Sequence, residues 1–350
     1  QRIGKINETM REYLADILVC HKSTMIYLER VQSDGKIRRG IVGAVDLEEY
    51  DYSKGSESLI RATEGTVLDR IPPRVKIRRG AEIELPHIML LIDDDKDTVI
   101  KPLTEKKNSF KKIYDFSLML GGGDVSGYLV DEACYESLFA SISALIDDNN
   151  AKRLYGDAKS KLLFAVGDGN HSLATAKTCW ENLKKNLTEE ERESHPARFC
   201  LVEIENIHDD VLEFEPIHRV VFGIDKEEEF IVEFKKNLGC ATCGDGQEIV
   251  IVKGDKKEKL VMNNTSSPLA VGTLQKYLDT LSYEVDYIHG EDVVEELSKK
   301  EGAVGFLLPK PEKSSLFETV IKDGALPRKT FSMGEANEKR FYMEAKKIKA

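Results

Sequence analysis

No stretch of the chain approaches the roughly 20 consecutive apolar residues that a membrane-spanning helix requires. The longest apolar runs, His87–Ile92 and Leu162–Val166, are strand-sized. The six cysteines, Cys20, Cys134, Cys179, Cys200, Cys240 and Cys243, are scattered, and several lie in apolar segments. That is the pattern of reduced, buried thiols in a cytoplasmic protein and not of a disulfide framework. Cys240 and Cys243 form a lone CxxC with no second pair or nearby histidine, which falls short of a zinc site. A positive surplus is also missing: 51 Lys and Arg stand against 62 Asp and Glu, for a net charge of -11. Such a surface repels phosphate backbones and argues against nucleic acid as a partner. There is no Walker A sequence, internal repeat, low-complexity stretch or signal-peptide pattern. The start at Gln1 in place of Met reads as that of a fragment.

What is present suits a folded protein of several lobes. Hydrophobic residues make up 41% and charged residues 32% of 350, enough for a sizeable core. The expected division is an N-terminal α/β lobe over 1–125, a core over 126–225 and a C-terminal α/β lobe over 226–350, packed as one unit. Helical spacing is read over Asn7–Leu18, Glu132–Ile146, Asn170–Leu187, Leu274–Leu281 and Glu291–Lys299. Lys54–Leu68 reads as a helix and a loop, stopped by Ile71-Pro72-Pro73. Strands are read over Met25–Val31 and Ile37–Val45 around a turn at Ser33-Asp34-Gly35, and over Leu85–Ile92, Leu162–Val166, Ala197–Ile207 and Ile217–Phe222. Further strands follow at Glu248–Val252, Lys259–Met262, Ala303–Leu308, Thr330–Met333 and Lys339–Glu344. Without strict βαβ alternation, this mixture points to an α+β fold with mixed sheets.

The segment with most chemical content is Gly167-Asp168-Gly169-Asn170-His171-Ser172. It follows an apolar strand and opens the clearest helix, whose Leu173, Ala176 and Trp180 keep one face apolar. Its glycines permit a tight turn and close approach of a ligand to the backbone. A helix start offers unpaired N–H groups and the positive end of the dipole, a physical site for phosphate. His171, Ser172 and Thr175 lie beside those donors, off the apolar face. The plainer alternative is a strand–turn–helix junction with Asp168 or Asn170 as cap. A dinucleotide fingerprint is approximated, but the acidic residue expected about 20 residues later at the end of a second strand is missing.

Other candidates are dispersed. Arg61, Arg70 and Arg74, with Thr63 and Glu64 among them, offer guanidinium forks for a carboxylate or phosphate and a carboxylate that could act as base or metal ligand. The alternative is a solvated face with helix ion pairs. His218 and Arg219 sit on a strand, where alternation sends their side chains to opposite faces. His289 precedes Gly290 at a second helix start. Lys329 beside Thr330 could supply a point charge for phosphate, or be an exposed strand-edge lysine. The acidic turn Asp93–Asp97 lacks the glycine and distal glutamate of a calcium loop.

Ala165–Ala176 resembles the "DGHHRxxA" box of the ParB/sulfiredoxin-like superfamily, which opens a helix and holds nucleotide phosphates. More broadly, Ser56–Arg74, the Gly169 box, Phe214–Val221, Tyr287–Gly290 and Leu326–Gly334 resemble domain-of-unknown-function family 1015. The superfamily includes free-serine kinases. The resemblance therefore implies a phosphate-binding core and a small-molecule phosphotransferase acting on L-serine or phosphoserine, with a nucleotide or pyrophosphate as donor or acceptor. His171 and the helix start would hold the phosphate, and Asp168 or Glu64 would serve as base or Mg²⁺ ligand. The alternative it leaves is a nucleotide- or metabolite-binding regulator without turnover. Asn170 and Ser172 stand where the box has His and Arg, so this helix start lacks the guanidinium fork.

Overall fold

Most of the apolar runs become strands of two large sheets, the first mixed and the second antiparallel in its described pairings, within the α+β arrangement that the sequence leads one to expect. The computed structural model describes residues 2–32, 34–66, 68–85, 88–156, 161–333 and 341–349. They fall into two compact units, one of residues 1–212, 320–325 and 335–350 and the other of 213–319 and 326–334.

The strands of the first unit begin with β1 (Ile26–Val31), β2 (Ile37–Asp46), β3 (Tyr50–Asp51), β4 (Ile60–Ala62) and β5 (Ile83–Glu84). They continue with β6 (Met89–Ile92), β7 (Lys111–Ser117), β8 (Asp124–Leu129), β9 (Phe164–Asp168) and β10 (Phe199–Asn206). All but β5 join one sheet, in the order β3-β4-β9-β6-β10-β2-β1-β8-β7. The run read as central lies inside the sheet, and Ala165 and Val166 are fully buried, as a strand covered on both faces requires. Helices α1 (Arg2–Asp16), α2 (Ile71–Arg78), α3 (Lys101–Lys106), α4 (Tyr135–Leu145), α5 (Asp148–Tyr155), α6 (Asn170–Leu183) and α7 (Glu189–Ser194) complete the unit. On α6 the apolar stripe is the buried one: Leu173, Ala176 and Trp180 join Tyr27, Leu90, Val166 and Val202 in one core. Each large side chain there contributes roughly 1.5–3 kcal/mol by burial.

The second unit carries a seven-stranded sheet. It contains β11 (Phe214–Phe222), β12 (Cys240–Ala241), β13 (Gln247–Lys253), β14 (Lys256–Met262), β15 (Glu284–His289) and β16 (Val304–Leu307), with β17 (Phe331–Met333) added to β11. Helices α8 (Glu227–Asn237), α9 (Ala270–Leu278) and α10 (Glu291–Ser298) belong to it. Phe234, Leu274 and Phe306 are fully buried at its centre.

Several expected elements differ. The 54–68 region holds no α-helix among the described residues, and only its last residue, Leu68, begins a single 3-10 turn. It forms loops around β4, whose Ile60 and Ala62 are buried because β4 pairs with β9. Pro72 and Pro73 do not stop a helix but begin α2, since the first turn has no use for the N–H that proline lacks. Lys339–Glu344 forms no strand over its described part; the nearest pairing is β18 (Lys346–Lys347) with β5. The hairpin of β7 and β8 was not anticipated, because β7 is an edge strand of mostly exposed residues and shows no apolar alternation. Ser33, Val67, Pro86, His87, Gly334 and residues 339 and 340 of the anticipated elements lie outside the described residues.

Candidate functional site

In the first unit β4 and β9 run parallel, with Ile60 opposite Phe164, Arg61 opposite Ala165 and Ala62 opposite Val166. Parallel neighbours end on the same side. Thr63-Glu64 therefore leaves the sheet beside Gly167-Asp168, at the carboxyl ends of strands where α/β sheets hold their ligands. The two segments are stitched together. The buried Thr63 hydroxyl donates to the Val166 carbonyl at 2.6 Å and accepts from the Asn170 amide at 3.5 Å.

The turn into α6 depends on Gly169, at φ 88° and ψ 18°, a left-handed conformation that suits glycine. Its N–H is held by the Asp168 carboxylate at 2.7 Å. Its carbonyl receives the N–H groups of Ser172 at 2.8 Å and Leu173 at 3.0 Å. Asn170 and His171 thus occupy the first helical positions, whose N–H groups point out of the helix and face anions favourably. Asn170 Oδ1 is enclosed and has no hydrogen-bond partner among the described residues. An enclosed acceptor of this kind calls for a donor. His171 is half-buried. The Thr175 hydroxyl is engaged within the helix, donating to the His171 carbonyl at 2.7 Å.

The arginines of the neighbouring stretch do not gather at this edge as a group. Arg61 is buried and directs its guanidinium to the carbonyls of Ser58, at 2.8 Å, and Lys161, at 2.9 Å. Both precede their strands, so it braces the opposite end of the β4–β9 pair. Burial pulls its pKa below the ordinary value, opposed in part by Glu57. Arg70 and Arg74 are exposed at the start of α2, where Arg74 donates to the Arg70 carbonyl at 2.9 Å; α2 itself packs on α6. Glu64 is half-buried just past β4. The part of this arrangement that sequence reasoning missed is Thr63 as the link to Asn170. The signal was a small hydroxyl residue closing a short strand, which gains meaning only once the pairing is known.

His218, Arg219, His289, Lys329 and Thr330 all belong to the second unit. Three stretches singled out in the sequence meet there. β11 pairs with both β15 and β17, Phe214 stacks on Phe331 with ring centroids 4.3 Å apart, and Ser332 is hydrogen-bonded to His289 Nδ1 at 3.1 Å. Arg219 is fully buried. Its guanidinium lies 4.6 Å from the Tyr287 ring centroid and donates to Gln275 Oε1, the Ile217 carbonyl and the Arg328 carbonyl, which is a bracing role. His218, also buried, accepts on Nδ1 from the Leu308 N–H at 3.1 Å. The Thr330 hydroxyl donates to the Pro327 carbonyl at 2.6 Å. Lys329 is exposed, with a left-handed φ of 57°.

The chain belongs to the family described as protein of unknown function (DUF1015), whose model matches residues 1–281. No curated protein matches it in sequence. Among solved structures it is similar to SbnI with a C-terminal truncation from Staphylococcus aureus, at 10% identity, 84% of this chain, 83% of that one and a TM-score of 0.42. It is similar to a conserved hypothetical protein from Pyrococcus furiosus at 11%, 88%, 95% and 0.41. It is also similar to a free serine kinase in complex with AMP at 12%, 88%, 91% and 0.44. No helix among the described residues is long and apolar enough to cross a membrane.

Proposed function

We propose that this member of the DUF1015 family is a small-molecule phosphotransferase whose reaction takes place at the start of α6, with L-serine or phosphoserine as substrate and a nucleotide or pyrophosphate as the phosphate partner. One observation carries the reading. An anion-favouring helix start, shaped by Gly169, lies directly beside an enclosed acceptor, Asn170 Oδ1, that needs a donor. A phosphoryl group fits the first feature, and the hydroxyl or ammonium of a serine fits the second.

In this reading the first-turn N–H groups and His171 hold the transferring phosphate. Thr63 fixes the Asn170 amide so that its oxygen orients the substrate. Glu64 or Asp168, at the ends of adjacent strands, takes the proton from the serine hydroxyl as the phosphate arrives. The same two carboxylates suit a Mg²⁺ ion carried on phosphate oxygens. Such an ion would neutralise charge that this helix start, without an arginine fork, does not.

Phosphoserine formation from serine with ATP, ADP or pyrophosphate, and the reverse reaction, tests the proposal on the full chain. His171→Ala should lower kcat by about 10²–10³-fold, the usual cost of removing one charge-stabilising group. Asn170→Ala should act mainly on KM for serine. Tight nucleotide binding with no turnover in either direction would favour the regulator instead. Unchanged rates in both variants would remove the reaction from this helix start.

A further inference from the structure

The second unit contains a cavity of about 520 Å³ that the phosphotransfer reading does not use, a volume in the range of small-molecule sites. His218 lines it and is only 2% exposed. Because Nδ1 accepts from the Leu308 N–H, the proton of the neutral ring sits on Nε2. Burial, with Arg219 and then His289 adding to it, pushes the pKa down to about 4, so the ring is neutral near pH 7. The Nε2–H has no partner among the described residues. Because His218 lines the cavity, an acceptor entering it can meet the Nε2–H.

The charges around the cavity are balanced in sign. Lys259 pairs with Glu248 at 2.8 Å, Lys310 pairs with Glu215 at 3.2 Å, and Lys257 reaches out to Glu295 at 2.5 Å. Glu291, which also lines the cavity, makes no close ion pair among the described residues, although its charge acts on Lys257. It sits with Asp292 in the first turn of α10, which follows Gly290. A simple polyanion would meet the carboxylates of Glu215, Glu248 and Glu291. A simple cation would meet three lysines. A small molecule bearing both charges a few ångströms apart matches the His218 donor and the Glu291 carboxylate.

We propose that this cavity binds a small zwitterionic α-amino acid, its carboxylate accepting from His218 Nε2, its ammonium facing Glu291. The proposal does not rest on phosphotransfer, because its readout needs no turnover.

The test is a titration of the full chain at pH 7.5, following the imidazole carbon-bound proton signals of His218 by NMR, assigned by their loss in His218→Gln. L-serine, L-alanine, L-aspartate and L-lysine are added separately, with propionate, ethylamine and inorganic phosphate as single-charge probes. At least one amino acid should shift the signals saturably at millimolar concentration while propionate and ethylamine do not. Glu291→Gln, an exposed change that spares the fold, should weaken that affinity about tenfold, the scale of one lost charge-assisted contact. If His218→Gln fails to fold, selective labelling supplies the assignment and Glu291→Gln still decides. Silence with all four amino acids, a shift by phosphate as large as theirs, or an unchanged affinity in Glu291→Gln would each overturn the proposal.

Discussion

Gly169 and Thr63 do different work at the same edge of the sheet. Gly169 sets the direction in which α6 leaves β9, and its φ of 88° costs an L-residue roughly 1–2 kcal/mol. Thr63 sets no direction but ties two backbone segments through one hydroxyl that both donates and accepts. Thr63→Val keeps the shape and removes both bonds. It should therefore cost about 1–3 kcal/mol in urea unfolding, while Thr63→Ser stays near wild type. Equal stability of Thr63→Val and wild type would make the link incidental. The glycine was legible in the sequence, because a Gly-x-Gly between an apolar strand and an amphipathic helix has few other uses. The threonine was not, because its partners lie about 100 residues away and reach it only through parallel pairing. Arg61 shows the reverse problem. A guanidinium among polar neighbours reads as a ligand clamp, yet burial leaves it backbone carbonyls to brace.

At the scale of an element, β10 explains why some strand residues could not be interpreted from their type. Glu203 and Glu205 share one face of the strand, and both are buried against Arg38 of β2, at 3.2 Å and 2.9 Å. Burial holds Glu205 well above the ordinary carboxylate range, with Arg38 opposing that and Glu203 adding to it. Two acids sharing one arginine in a dry site depend on it. Arg38→Met should destabilise the first unit by about 3–5 kcal/mol, the cost of leaving buried charge uncompensated. The triple change Arg38→Met, Glu203→Gln, Glu205→Gln should cost less. Thermal unfolding followed through Trp180, the single tryptophan and fully buried in that unit, measures both. A triple variant less stable than Arg38→Met would show that the acids contribute independently of the arginine. The strand was readable from its apolar residues, but the fate of its charges depended on which strand lay beside it. The same dependence hid β4, whose few residues earn burial only between β3 and β9.

For the whole molecule, the division into two units with separate cores means that one can lose stability through a group the other does not sense. His218 is such a group. Its folded pKa of about 4 lies below the ~6.5 of free imidazole. Between those values the unfolded chain takes up a proton that the folded ring refuses, so the second unit weakens as pH falls from about 6.5 toward 4. The slope is at most ~1.4 kcal/mol per pH unit, and the full contribution is present above 6.5. Amide hydrogen exchange, corrected for the intrinsic rate, should show protection in β11 and β16 falling by up to about tenfold per pH unit across that window. In His218→Gln the pH dependence should flatten, because the remaining titrating groups are shared by both proteins and cancel in the difference. Protection on β9 and the emission of Trp180, both in the first unit, should respond alike in the two proteins. Equal slopes for β11 in wild type and variant would mean that the imidazole is protonated in the folded protein without penalty, and that burial does not hold His218 neutral through this window.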